Sequence, residues 1–160
     1  MNNKILIVSA NYYKEISKNL ELGASTTLKE NGYEYEIINA PGCFEIPYLI
    51  KKNIDNFSGF ISLGCIIKGD TYHFEVIANE TSRKIIDLSV DFNVPIGFGI
   101  LTCYNLEQAI IRSDINQKNK FKIVFNDYLN ISKSLVSQKE IKLINAIIQK
   151  YVDKNEIFKK

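Results

Sequence analysis

The sequence predicts a three-layer α/β/α fold, a four-stranded parallel sheet with helices on both faces. Three observations carry that expectation. Four apolar, β-branched runs alternate with four amphipathic or polar-rich segments, the pattern of repeated βαβ units. Most of the runs are continuous in apolar residues, which suits strands covered on both faces. The 160 residues, 46% of them hydrophobic, suffice for one domain with a full core. The expected organisation is a single domain over 1–160 whose tail, from about 136, is helical.

The first run is Ile5-Leu6-Ile7-Val8. Ile16, Leu20, Gly23, Ala24 and Leu28 then recur at helical spacing, and Asn31-Gly32 ends that segment as a helix should end. The second run, Tyr35-Glu36-Ile37-Ile38, alternates more, and a short helix is expected from Pro47 to Ile54. The third is Gly59-Phe60-Ile61-Ser62-Leu63. After it, Phe74 to Phe92 reads as a helix with apolar positions at Ile77, Ile85, Ile86 and Leu88. The fourth run extends from Val94 to Leu101, followed by a short helix over Leu106 to Arg112. A longer helix is expected from near Lys120, with a break around Ser137. The lysine-rich stretch from Ile141 to Lys160 reads as a surface helix.

Composition removes several classes of function. Twenty basic and eighteen acidic residues leave a formal +2, too little for the excess of cations on which non-specific nucleic-acid binding runs. No apolar run approaches the ~18 residues of a membrane span, and the start does not read as a signal peptide. Cys43, Cys65 and Cys103 are odd in number and widely spaced, which argues against a disulfide framework and for a reducing, cytoplasmic setting. His73 is the only histidine, with no cysteine near it in sequence, so a Cys/His metal site is not expected. Acid–base work near neutral pH then falls on His73 or on a perturbed carboxylate or lysine.

In an open parallel sheet, ligands bind outside the carboxyl ends of the strands. That rule selects Ala10 to Tyr13, Pro41 to Glu45, Gly64 to His73, and Thr102 to Tyr104. The histidine and all three cysteines fall within this set. Tyr12 is either a surface aromatic over a helix start or a stacking platform for a flat heterocycle. Glu45 either complements a helix N-terminus or accepts hydrogen bonds from substrate hydroxyls. The cysteines read as small apolar packers, having no basic partner nearby in sequence. Gly64-x-x-x-x-Gly69-Asp70-Thr71 lacks the Gly-Lys-[Ser/Thr] ending of a P-loop, so nucleoside triphosphate hydrolysis is unsupported. A glycine turn running into a helix still presents unpaired N–H groups that suit a phosphate. Asp70 is an acceptable N-cap there, and His73, about one turn into the helix, faces the same pocket or serves a structural role.

Four ordered stretches make the chain resemble the lumazine synthase family. They are Pro41-Gly42-Cys43-Phe44-Glu45-Ile46-Pro47, then Leu63-Gly64-Cys65-Ile66-Ile67-Lys68-Gly69-Asp70-Thr71-Tyr72-His73-Phe74-Glu75, then Val94 to Thr102, then Glu107-Gln108-Ala109-Ile110-x-Arg112. The resemblance runs from about Ile5 to about Leu135 and implies a flavodoxin-like version of the predicted fold. It implies that 5-amino-6-(D-ribitylamino)uracil condenses with 3,4-dihydroxy-2-butanone 4-phosphate, phosphate being eliminated, without cofactor or metal. By position, Tyr12 stands for the aromatic that stacks on the pyrimidine. Cys43, Phe44 and Glu45 match the segment holding the ribityl chain, and Cys65, Ile66 and Ile67 line the ring edge. Gly69, Asp70 and Thr71 match the turn that meets the phosphate, and His73 the histidine that moves protons. Phe98 and Arg112 match residues supplied by a neighbouring subunit, the arginine neutralising the phosphate. Lys120 sits where the family has a lysine near the pyrimidine. The partners implied are two small molecules and further copies of the chain, with no nucleic acid and no membrane.

The chain also departs from the family. Asn11 and Tyr13 stand where it usually has Arg and Asn, and Lys118 and Phe121 where it has glycines. The chain begins almost on its first strand, whereas many relatives carry an earlier segment; the expected assembly is a pentamer or decamer. A riboflavin synthase of the archaeal type shares the fold, and Lys68-Gly69-Asp70-Thr71-x-His73 speaks against it. A non-catalytic flavodoxin-like flavin- or lumazine-binding module needs other residues than Ala10-Asn11-Tyr12-Tyr13 after the first strand.

Overall fold

The computed structural model describes residues 4–115. The expectations for Lys118, Lys120, Phe121 and the helical tail lie outside the described residues.

Strand β1 (Lys4–Ala10) leads into helix α1 (Lys14–Glu30), and β2 (Glu34–Ala40) into a short 3-10 turn at Cys43–Glu45 and helix α2 (Ile46–Lys52). Strand β3 (Gly59–Ile67) precedes α3 (His73–Asp91), and β4 (Ile96–Cys103) precedes α4 (Leu106–Ser113). Among the described residues all strands are parallel, in the order β2-β1-β3-β4, with β2 and β4 at the edges. This is the four-stranded parallel α/β architecture that the sequence predicts.

Alternation along each strand divides the core in two. Leu6 and Val8 of β1, Phe60 and Ile66 of β3, and Ile100 of β4 face one side, where Ile46 and Ile50 of α2 and Ile85 and Leu88 of α3 close over them. Cys65 of β3 and Leu101 and Cys103 of β4 face the other, covered by Ile16 of α1 and Ala109 of α4. Each buried Leu or Ile contributes about 1.5–3 kcal/mol through apolar surface removed from water. The fully buried central strand β1 (Leu6, Ile7 and Val8 at 0% exposure) accounts for the unbroken apolar run that the sequence shows there.

Helix ends follow local chemistry. At the end of α1, the Tyr33 N–H donates to the Leu28 carbonyl (3.0 Å) and the Gly32 N–H to that of Lys29 (3.1 Å). This double closure requires the left-handed backbone of Gly32, at φ +75. The same closure ends α3, with Asn93 at φ 48 in the glycine's role and Val94 N–H donating to the Ser89 carbonyl (3.1 Å). Helix α4 is capped by the Asn105 side chain, which accepts from the Gln108 N–H (2.9 Å).

Three expectations change in ways that matter to the site. Strand β3 continues four residues past Leu63, so Gly64, Cys65, Ile66 and Ile67 are strand residues, paired with Ile100 to Cys103 of β4, and not loop. Gly64 opens the expected loop, yet the fold uses it within the strand for close approach: a Cβ there would stand 2.5 Å from Cys43 Sγ and 3.1 Å from Ala10 Cβ. Helix α3 begins at His73, with Tyr72 as its N-cap and no side-chain capping bond. Asp70 is therefore not the cap, because it lies two residues ahead of Tyr72 in the turn. His73 is the first helical residue rather than one a turn inside. Ala10 likewise closes β1, and Thr102 and Cys103 close β4, instead of opening loops.

Candidate active site

The order β2-β1-β3-β4 puts a topological switch point between β1 and β3, where successive connections leave in opposite directions and a crevice opens at the carboxyl edge. Four segments gather there. The Asn11 N–H donates to the Ala40 carbonyl (3.0 Å), tying the loop after β1 to the end of β2. Cys43, in the turn after β2, reaches the Cys65 carbonyl of β3 with its Sγ (3.8 Å). The Lys68 N–H donates to the Cys103 carbonyl (2.8 Å), joining the ends of β3 and β4.

Each of the four loops presents an exposed aromatic ring: Tyr12 at 74%, Phe44 at 54%, Tyr72 at 72% and Tyr104 at 70% exposure. Tyr12 is held edge-on by Tyr13, their centroids 4.9 Å apart and their planes at 73°, which leaves the Tyr12 ring mostly open to solvent. Tyr13 is itself half-buried against Cys65 and Ile16, and burial raises its phenol above the ordinary range. Glu45, at the end of the 3-10 turn, is exposed and, among the described residues, engages no hydrogen bond or ion pair. It caps no backbone N–H of α2. Its carboxylate is thus open to outside donors.

The turn from Gly69 to Tyr72 carries the most unusual feature of this edge. Among the described residues, the N–H groups of Gly69 to Phe74 and the side chains of Asp70, Thr71 and His73 find no hydrogen-bond partner. A Cβ at Gly69 would meet nothing within 4 Å. Free N–H groups ahead of a 19-residue helix, whose dipole favours negative charge, suit an anion, and the exposed His73 is the first residue of that helix.

The three thiols behave as packing. All are free and buried. Burial pushes the Cys43 and Cys65 thiols up to about 12, and raises that of Cys103 against the opposing charge of Arg112. They stay protonated at neutral pH and are poor nucleophiles. Iodoacetamide at mildly alkaline pH is expected to leave all three unlabelled in the native protein and to label all three in denaturant, as read by intact mass. Rapid labelling of the native chain would contradict this. Because an unfolded chain releases these protons above about 8.5 while the folded one keeps them, the stability they contribute is full below that pH and is lost as pH climbs towards 12.

Not every expected site residue joins this edge. Ile66 and Cys65 are buried, and Ile67 is half-buried at the strand end, so Ile67 is the most open of the three to a ligand. Phe98 lies opposite Ser62 in the sheet and packs half-buried against the α2/α3 core. Ile67 pairs with Cys103, five residues farther along, so Phe98 sits about 16 Å from the carboxyl edge of its own sheet. Arg112, near the end of α4, is exposed, and its only bond among the described residues is to the Gln108 carbonyl (3.2 Å). Arg83 contrasts with it, engaged by both Glu80 (2.6 Å) and Asp87 (3.0 Å). Among the described residues, Arg83 is held by two carboxylates and Arg112 by none.

The sequence reading gave no role to Lys68 and Glu75, which the structure joins in an ion pair (2.9 Å). Their separation of seven residues spans a non-helical turn and follows no period. They stood inside a recognised stretch, and that was their only signal.

Comparison with known proteins supplies a further finding. Residues 2–134 match the family described as 6,7-dimethyl-8-ribityllumazine synthase. The chain is 43% identical over 124 residues to a protein of that name from Bartonella bacilliformis, covering 75% of this chain and 82% of that one. It is 44% identical over 119 residues to one from Novosphingobium aromaticivorans, covering 73% and 85%. A third, from Zymomonas mobilis, is 43% identical over 119 residues, with the same coverage.

Proposed function

The chain belongs to the 6,7-dimethyl-8-ribityllumazine synthase family, and on that premise we infer how its residues divide the work. It is a transferase of riboflavin biosynthesis, condensing 5-amino-6-(D-ribitylamino)uracil with 3,4-dihydroxy-2-butanone 4-phosphate to give 6,7-dimethyl-8-ribityllumazine.

The flat pyrimidine stacks on the open face of Tyr12, with Ile66, Ile67 and Cys65 behind the ring edge. The ribityl hydroxyls donate to the uncommitted Glu45 carboxylate beside Cys43 and Phe44. The phosphate occupies the cradle of Gly69, Asp70 and Thr71, where Asp70 turns its carboxylate outwards, and Arg112 supplies the fork that a phosphate accepts. His73, at the rim, carries protons between the condensing groups. Holding two reactants side by side is itself worth about 7–11 kcal/mol, so the site needs little else. The observation that carries this reading is the run of free N–H groups before α3, next to the one histidine. Lys120 belongs to the same proposal, near the pyrimidine.

The active unit is at least two chains. Phe98 lies too far along its own sheet to reach the carboxyl-edge crevice, which supports its service to a neighbour's site, and Arg112 goes with it. A pentamer or decamer in the cytoplasm fits this reading, and three reduced thiols suit that compartment.

Incubating the purified chain with both substrates and following the lumazine chromophore tests the activity. Riboflavin formed from lumazine alone, with none made from the two precursors, would overturn it. Light scattering tests the assembly: a monomer that turns over both substrates contradicts the shared site.

A further inference from the structure

We propose that Lys68 and Glu75 form a clasp that positions the phosphate turn and His73 between its two ends, a role that deepens the site reading above and rests on it. The turn does not hold itself. Asp70, Thr71 and His73 are exposed and unbonded among the described residues, Gly69 has open space where a side chain would stand, and α3 begins without a side-chain cap. What spans the turn is the Lys68 Nζ–Glu75 Oε1 contact of 2.9 Å.

Both ends of this bridge are anchored. The Lys68 N–H continues the sheet ladder to the Cys103 carbonyl (2.8 Å), and Glu75 lies in the first turn of α3. The Lys68 ammonium also sits 6.0 Å from the Phe74 ring centre and 5.8 Å from that of Tyr104. Tyr104 is fixed in turn, its N–H donating to Gln108 Oε1 (3.0 Å) while the Asn105 side chain caps Gln108. One cation thus joins the end of β3, the start of α3 and the loop after β4. The hydrogen bond between the pair raises the lysine's pKa and lowers the glutamate's, so both stay charged across the neutral range. The lysine end is exposed and the glutamate end half-buried, with Glu75 Oε2 buried and finding no partner among the described residues, so the carboxylate is held in place from one oxygen by Lys68 alone. The consequence of the pair is geometric: it fixes where the free N–H groups and His73 lie relative to the crevice, and a displacement near 1 Å is enough to cost catalysis heavily.

The alternative role for Lys68 is direct contact with the phosphate, with Glu75 as a bystander, and steady-state kinetics of the full chain separates the two. Lys68→Met, Glu75→Gln and the double variant are each titrated with both substrates. The clasp predicts a fall of about tenfold in kcat/KM for the butanone phosphate in each single variant, and no further fall in the double. It also predicts an unchanged KM for the ribitylaminouracil and substantial rescue by Lys68→Arg. Glu75→Gln that is neutral or beneficial while Lys68→Met is impaired overturns the clasp, as does equal loss towards both substrates with a lowered Tm. Arg112→Lys run alongside separates the two levels. If it leaves the KM for the butanone phosphate untouched, the phosphate assignment falls and takes the clasp with it. If it raises that KM and neither clasp variant does, only the clasp falls.

Discussion

Arg112→Lys raises the KM for 3,4-dihydroxy-2-butanone 4-phosphate by about tenfold to a hundredfold, and leaves that for the ribitylaminouracil close to its original value. The range comes from losing one of two charge-assisted hydrogen bonds, each worth about 1.5–3 kcal/mol where a charged group is involved. Lysine keeps the charge but has no planar fork, so the substitution isolates geometry from electrostatics. Arg112 is suited to the test because it is exposed and bonds only a backbone carbonyl among the described residues. Among the described residues, no side-chain partner is lost when it changes. An unchanged KM for the phosphate substrate contradicts the assignment. A mixed assembly adds a second reading. If Arg112 serves a neighbour, co-refolding Arg112→Lys chains with His73→Ala chains restores activity at the seams where both native residues meet.

His73→Ala lowers kcat by about 10²-fold or less and leaves the melting temperature in place. Its position as the first, exposed residue of α3 means that no core contact disappears. The bound on the effect follows from the reaction. Proximity of the two substrates supplies about 7–11 kcal/mol whether or not the imidazole is present, and proton transfer is one contribution among several. Pre-steady-state measurement of lumazine formation reads the chemical step directly. A collapse well beyond a hundredfold would show that the histidine does more than shuttle protons.

Much of this was legible in the sequence, for identifiable reasons. The strands announced themselves because a sheet covered on both faces demands continuous apolar runs, as in Leu6-Ile7-Val8. The closure at Asn31-Gly32 was readable because only a left-handed residue satisfies the last carbonyls of α1. What escaped was set by tertiary contact. Gly64 opens the loop that the sequence predicts; its reason in the fold is the sulfur of Cys43, some twenty residues away and packed against it. The start of α3 was legible to within one residue, but its cap was not, because no capping side chain marks it. Sequence could count two arginines, whereas only the fold distinguishes the one neutralised by Glu80 and Asp87 from the one left free. The remoteness of Phe98 from its own crevice is a fact of register, and register is invisible before the strands are paired.

The fit between Gly64 and Cys43 constrains how this crevice can change over time. Position 43 belongs to the turn proposed to hold the polyol, while position 64 belongs to the sheet beneath it, and the two share one small volume. A methyl group added at 64 has no room unless residue 43 shrinks or shifts first. The turn and its floor therefore form a single inherited unit, open to some orders of substitution and closed to others. Any enlargement at position 64 would have to begin with a change at position 43.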